Sequence, residues 1–385
     1  MRNYLHKNIF VEHRDQPPPR KGEGFMKRSL KIASAFIGIV VGAGFASGQE
    51  ILQYFTSFGY WGAGGVLVAT ALFGYIGMIL TRLGSRMQTT SHEDVVYRIS
   101  GKWLGKVIDY TLILTLFGIL VVMIAGAGSI FSQQFDLAPA FGRSIMIVLV
   151  IVTIMMNVKK VITIISSITP FLILMVVGIA IYSVITMDSS FSALDPVAKD
   201  QLSATPNWLL SAVNYVSLAI ALGASMSLVM GGAEADEKVA ARGGLIGGLG
   251  FGVLILLSYV AIFAKVDVVG GADLPMLAIG DDISPILGII MAVVIFAMIY
   301  NTAVSMLLSF SARFTEIGTK KFRIFVIIAG LIAFALSFVG FTALVNYLYP
   351  AVGYLGLLLI GALILADIRK VGKNDKANRN KKATN

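Results

Sequence analysis

Residues 38–50 read GIVVGAGFASGQE and lie inside an apolar run that extends from Ile32 to about Phe58. A run of that length and character predicts a membrane-spanning helix. Gly38, Gly42, Gly44 and Gly48 interrupt it, and Ser47, Gln49 and Glu50 gather beside them. Glycine costs a helix interior roughly 1 kcal/mol, so the backbone is weakest where polar groups collect. In a bilayer, broken backbone persists only where protein buries it or where it lines a cavity. Unwinding over residues 42–47 would free amides and carbonyls to hold a small polar solute. Amides at the start of the outer half-helix carry partial positive charge and suit an anionic group such as a carboxylate. Gly42, Ala43, Gly44, Phe45, Ala46 and Ser47 are the candidates. Glu50 is an acid within an apolar span, which marks it for coupling or gating. It lies eight residues past Gly42, ~12 Å further out along a helix, toward an outer mouth near Gln53.

The rest of the chain must position that break in a membrane. Of 385 residues, 57% are hydrophobic and 14% charged, and the mean hydropathy is +0.83. An ordinary soluble protein carries a charged share near ~25%. There is no cysteine, which excludes disulfides, thiol nucleophiles and thiolate metal sites. The histidines, His6, His13 and His92, lie outside the apolar runs. That argues against a membrane-embedded enzyme, and no catalytic residue or cofactor is expected. The net charge of +10 fits basic flanks on the cytoplasmic side of membrane helices better than nucleic-acid binding. The first 24 residues are polar and include Pro17, Pro18 and Pro19. They read as a disordered tail rather than a signal peptide, with Met26 as an alternative start.

Ten apolar segments can be drawn, at roughly 32–58, 61–81, 107–131, 144–158, 161–187, 207–232, 243–264, 285–310, 323–342 and 344–366. With the N-terminus inside, all 31 Lys and Arg except Arg143, Lys199 and Lys265 fall on the inner side. The positive-inside rule then places both termini in the cytoplasm. This predicts an all-α protein of a bacterial plasma membrane with ten transmembrane helices. A tail (1–31) precedes a first five-helix unit (32–187). An extracellular loop (188–206), a second unit (207–368) and a basic tail (369–385) follow.

Two units of five must run in opposite directions, an inverted repeat of the kind found in secondary transporters. The sixth segment should then resemble the first. It carries LGAS at 222–225 where the first has VGAG at 41–44. Gly42 lies eleven residues from Lys31, and Gly223 eleven from Glu234. At 1.5 Å per residue both points sit ~16 Å deep, half of a ~30 Å hydrocarbon core. The expectation is therefore that helices one and six are both broken. The competing reading is close helix packing through small residues. Ser217, Leu222, Gly223, Ala224 and Ser225 would face the cavity from span six. Tyr110, Thr111 and Thr115 would wall it from span three, unless their hydroxyls bond back to their own helix.

Ten spans with a glycine-broken first helix and a matching sixth resemble the LeuT-fold transporters of the amino acid–polyamine–cation superfamily. FIGIVVGAGFASGQEI is similar to the signature of the YkvI-type bacterial membrane proteins, a candidate amino-acid permease group. The resemblance covers most of residues 27–370. It implies a sodium site between spans one and eight. Carried over to this sequence, the carbonyl ligands fall on Gly38 and Val41. The span-eight ligands fall on Asn301 and Thr302, with Ser305 a turn on. Two adjacent hydroxyls are the pattern there, and this chain has YNTAVS instead.

The reading that follows is a symporter-like secondary transporter of a small amino-acid-like solute, sodium-coupled, working by alternating access. The alternatives are a proton-coupled permease using Glu50, and a transport-inactive sensor or scaffold of the same fold. A channel needs a continuous polar lining, whereas the polar residues here cluster at two depths. Further expectations concern charge. Asp109 should pair with Lys106 or cap its helix. The loop 266–284 should cap an outer vestibule. Glu234, Asp236, Glu237 and Lys238 should form inner ion pairs. Pro170 and Pro350 should bend spans five and ten.

Overall fold

The computed structural model describes residues 24–89, 92–156 and 169–371. Lys159 and Lys160, most of both basic tails and the start of the fifth segment lie outside them. The first span is built in pieces: α1 (Phe25–Val40), α2 (Ala43–Ser47) and α3 (Gln49–Tyr54). Then come α4 (Tyr60–Met87), α5 (His92–Phe135), α6 (Pro139–Met155) and α7 (Thr169–Ile185). The second half holds α8 (Phe191–Lys199), α9 (Trp208–Gly232), α10 (Glu237–Ala264), α11 (Val266–Val269) and α12 (Pro275–Ile283). It ends with α13 (Pro285–Phe314), α14 (Lys320–Leu336) and α15 (Phe341–Ile368).

The fold is all-helical, and seven helices among the described residues are long and apolar enough to cross a membrane. Two shorter apolar helices, α6 and α7, have 17 residues each. Local chemistry sets several starts. The Asn207 side chain accepts from Leu210 N–H at 2.9 Å, and Asp236 accepts from Lys238 N–H at 2.9 Å. Both leave fewer orphan amides at a helix N-terminus. Proline opens α6, α12 and α13, where its missing N–H costs nothing.

The structure departs from the sequence expectations in four places. Gly101 adopts φ 72°, ψ −177° and kinks α5, so residues 92–100, expected as loop, are helical. The 188–206 connection contains α8, and the 266–284 connection contains α11 and α12. Pro350 lies inside α15, but Pro170 sits at the described start of α7. Most important, α9 runs unbroken from Trp208 to Gly232, so the expected break of span six at Gly223 is overturned. The reason is packing. A Cβ at Gly223 would stand 3.1 Å from Ile39 Cγ2, so this glycine lets α9 approach the last turn of α1.

The beginning of α1, the end of α4, the α9–α10 turn and the end of α15 share one end of the bundle, held by ion pairs. Arg28 pairs with Glu234, Arg86 with Glu237 at 2.7 Å, and Arg82 with Asp367 at 2.5 Å. This is the terminal end. The opposite, far end carries α8, α11 and α12.

Candidate functional site: the break in the first span

The break is narrower than the sequence suggests. Val41 N–H closes the last bond of α1 on Ile37 O at 2.8 Å. The next bond is from Ala46 N–H to Gly42 O at 3.1 Å. The amides of residues 42–45 and the carbonyls of residues 38–41 therefore lose their helical partners. Residues 43–47 are not unwound but form one short helical piece, α2. Gly48 then turns the chain at φ 81°, a left-handed conformation that glycine adopts without Cβ strain. Ser47 Oγ donates to Gly44 O at 2.7 Å and accepts from Gln49 N–H at 3.1 Å, which holds the two short helices at that turn.

Glu50 does not sit out at a mouth. Its carboxylate folds back over Gly44, into the space a Cβ there would fill. Tyr215 of α9 donates its hydroxyl to Glu50 Oε2 at 3.1 Å. Glu50 is only 9% exposed. Among the described residues it has no lysine or arginine ion-pair partner. Tyr54 stands beside it, its ring centroid 5.2 Å from that of Tyr215. Tyr54 donates to Asn214 Oδ1 at 3.2 Å, and Asn214 donates to Pro350 O at 3.0 Å. A polar chain thus runs from span one through span six to span ten. Asn214 and Tyr215 were not among the expected site residues, although two hydrogen-bonding residues side by side in an apolar run were the available signal.

The other expected ligands divide. Gly42, Ala43, Gly44, Phe45, Ala46 and Ser47 gather at the break, with the Phe45 ring centroid 5.5 Å from that of Phe251. Gly42 faces open space, as does Gly38. Gly223 and its buried neighbour Ala224 lie near the end of α1, while Leu222 and Ser225 are half-buried. Ser217 instead donates to Gly353 O at 2.6 Å, so it serves packing against α15. Tyr110 is 73% exposed and does not wall the break, because the register of α5 turns it outward. Thr111 and Thr115 bond back to Val107 O at 2.9 Å and Thr111 O at 2.8 Å. Asp109 pairs with Arg313 at 3.1 Å rather than with Lys106.

The expected cation ligands are likewise distributed. On α13, Asn301 Oδ1 is buried without a hydrogen-bond partner. Thr302 donates to Met298 O at 3.0 Å, and Ser305 is half-buried. Val41 is buried, whereas Gly38 is exposed along one face of α1 with Lys31, Ser34 and Ala35. Oxygen donors suit a hard cation.

The far end is covered. Asp273, just before α12, accepts from Thr342 of α15 at 2.5 Å and from Ser129 of α5 at 2.6 Å. With its amide turned to satisfy its neighbours, Gln49 donates to Ala272 O at 3.2 Å and Asp273 O at 3.3 Å. It then accepts from Gln53 at 2.9 Å. Met276 packs on Gly48. A cavity of about 60 Å³ remains there, lined by Gln49, Gln53, Gln201, Ala272 and Thr342 among others. Arg143, expected in an outer loop, is buried in the second turn of α6, its guanidinium 4.8 Å from the Phe338 ring.

No protein-family model matches the chain. It is 28% identical over 336 residues to the uncharacterized membrane protein YkvI of Bacillus subtilis, covering 87% of this chain and 94% of that one. It is 29% identical over 350 residues to the uncharacterized protein YyaD of the same organism, covering 89% and 98%. Among solved structures it resembles the inward-facing conformation of Mhp1, with TM-score 0.65 and 17% identity, covering 90% of this chain and 77% of that one. MhsT in complex with L-phenylalanine aligns with TM-score 0.57 and 19% identity, covering 88% of each. A manganese transporter of Eremococcus coleocola aligns with TM-score 0.55 and 12% identity, covering 91% and 81%. At these identities the likeness is one of fold: the chain shares the LeuT-type architecture of these proteins.

Proposed function

We propose that this chain is a secondary transporter that carries a small amino-acid-like solute across the plasma membrane by alternating access. The observation that carries the reading is the break at Val41–Gly42, where amides and carbonyls without helical partners stand beside a buried acid. Backbone groups without partners are costly where they are buried, and a polar solute bound at the break would satisfy them. The shared fold of MhsT, solved with L-phenylalanine, supports a small solute at this place. In this reading the exposed face of α1, with Lys31, Ser34, Ala35 and Gly38, is the solute's approach from the terminal end to Gly42, while α12 covers the far end.

Sodium is the proposed coupling ion, held by the carbonyls of Gly38 and Val41 with Asn301, Thr302 and Ser305. The buried, partnerless Asn301 Oδ1 supports it. Proton coupling is the second reading, favoured by the burial of Glu50 without a basic partner. The test is uptake of a labelled amino-acid panel into proteoliposomes under sodium or pH gradients. Gly42→Leu should abolish uptake without loss of folded protein, because the leucine fills open space. Thr302→Val should remove the sodium dependence. Unchanged uptake in both variants would overturn the site.

A further inference from the structure

We propose that Glu50 anchors the amino group of the solute, so that the site selects molecules with a protonated amine and rejects free carboxylates. The inference deepens the transporter reading and rests on it for transport, though not for binding. It reverses the carboxylate-first docking expected from the sequence.

Three observations carry it. First, the carboxylate lies on Gly44, inside the segment whose amides and carbonyls are unpaired, not beyond it. Second, its one hydrogen-bond donor is Tyr215, and it has no basic partner among the described residues. An ionised carboxylate offers about four acceptor sites, and an isolated buried charge is costly unless paired. Third, the positive pole expected to hold a solute carboxylate is slight. The piece beyond the break has five residues before Gly48 turns the chain, so few peptide dipoles align. A free carboxylate would meet the Glu50 carboxyl group, a second acid, with little to offset their mutual repulsion.

An ammonium fits what remains. It brings three donors and one positive charge. The carboxylate of Glu50 and the orphan carbonyls of residues 38–41 are acceptors, and open space at Gly42 admits a small group. A zwitterion can place its own carboxylate toward the orphan amides of residues 42–45 once its amine has neutralised Glu50.

The test uses the purified full-length chain in detergent at pH 7. Alanine, leucine and phenylalanine are each compared with the amine lacking the carboxylate and the acid lacking the amine. Binding is read by calorimetry in sodium and again in potassium. Wild-type protein should bind amino acids and amines and reject the acids. Glu50→Gln should weaken the amines about tenfold, the scale of one lost charge-assisted hydrogen bond, and abolish discrimination against the acids. Glu50→Asp and Tyr215→Phe keep the charge and should keep the preference.

The proposal falls if the acids bind wild-type protein as well as the amines do, or if no amine binds. It falls too if Glu50→Gln keeps its amine preference while losing only pH-driven uptake, which would make Glu50 a proton carrier. Amine-selective binding with no uptake into vesicles would sink the transporter reading and leave Glu50 in place.

Discussion

Tyr215 donates its phenol hydroxyl to Glu50 Oε2 at 3.1 Å, and this bond ties the sixth span to the first just past its break. Both side chains are buried, so the bond is shielded from competing water. Tyr215→Phe should cost about 1–3 kcal/mol in stability, the usual range for leaving a buried acceptor short of a donor. The same substitution should cost far less in a Glu50→Gln background, where no charge needs the hydroxyl. A double-mutant cycle of thermal unfolding measures the difference. Additive effects of the two changes would show that the bond is not made.

Gly44 has no room for a side chain because the Glu50 carboxylate occupies it. Gly44→Ala should therefore destabilise the protein by about 1–3 kcal/mol, the range for overpacking a filled interior. Shortening the acid should relieve the clash, so Gly44→Ala with Glu50→Ala should unfold at a higher temperature than Gly44→Ala alone. Gly42→Ala, facing open space, should leave the melting temperature unchanged. Equal losses at both glycines would contradict the folded-back carboxylate.

Hydropathy made the membrane helices legible because apolar length is a local property. Glycine spacing marked the break at Gly42 for the same reason. The identical signal at Gly223 misled, because glycine serves two ends. It weakens a helix, and it lets two helices touch; only the partner surface, here Ile39, decides which. Glu50 was placed too far out because rise along an ideal helix was counted. Gly48 turns the backbone at φ 81°, and the side chain returns toward Gly44. Tyr110 failed as a wall residue because α5 kinks at Gly101 and its rotation follows from packing, not from composition. Asp273 is a loop acid by sequence, and its role emerges only when α5, α12 and α15 meet.

Asp273 joins Ser129 and Thr342 through its carboxylate, while its backbone carbonyl meets Gln49. Removing it should loosen the far end. The chain has no cysteine, so one introduced thiol is a clean reporter. In a Gln53→Cys protein, Asp273→Ala should speed labelling by a membrane-impermeant maleimide applied at the far end. Asp273→Asn, which can still accept from one hydroxyl, should fall between. Labelling rates that do not change would remove Asp273 as the clasp.

At the terminal end, Arg28 at the start of α1 meets Glu234 in the α9–α10 turn. Glu234 also accepts from Asp236 N–H at 2.8 Å, and its own backbone carbonyl receives Ser85 Oγ at 2.7 Å. The pair therefore ties α1, the half-helix leading to Gly42, to a turn that α4 already holds. The Arg28 side chain is 22% exposed and that of Glu234 10%, so solvent screens the pair in part. Glu234→Gln should cost about 1 kcal/mol. It should also speed labelling of a Gly38→Cys reporter from the terminal side, because α1 is then freer to swing. Charge exchange, Arg28→Glu with Glu234→Arg, should restore slow labelling if attraction between these two residues is what holds α1. Continued fast labelling in the exchanged protein would assign the restraint to the backbone bonds of the turn instead.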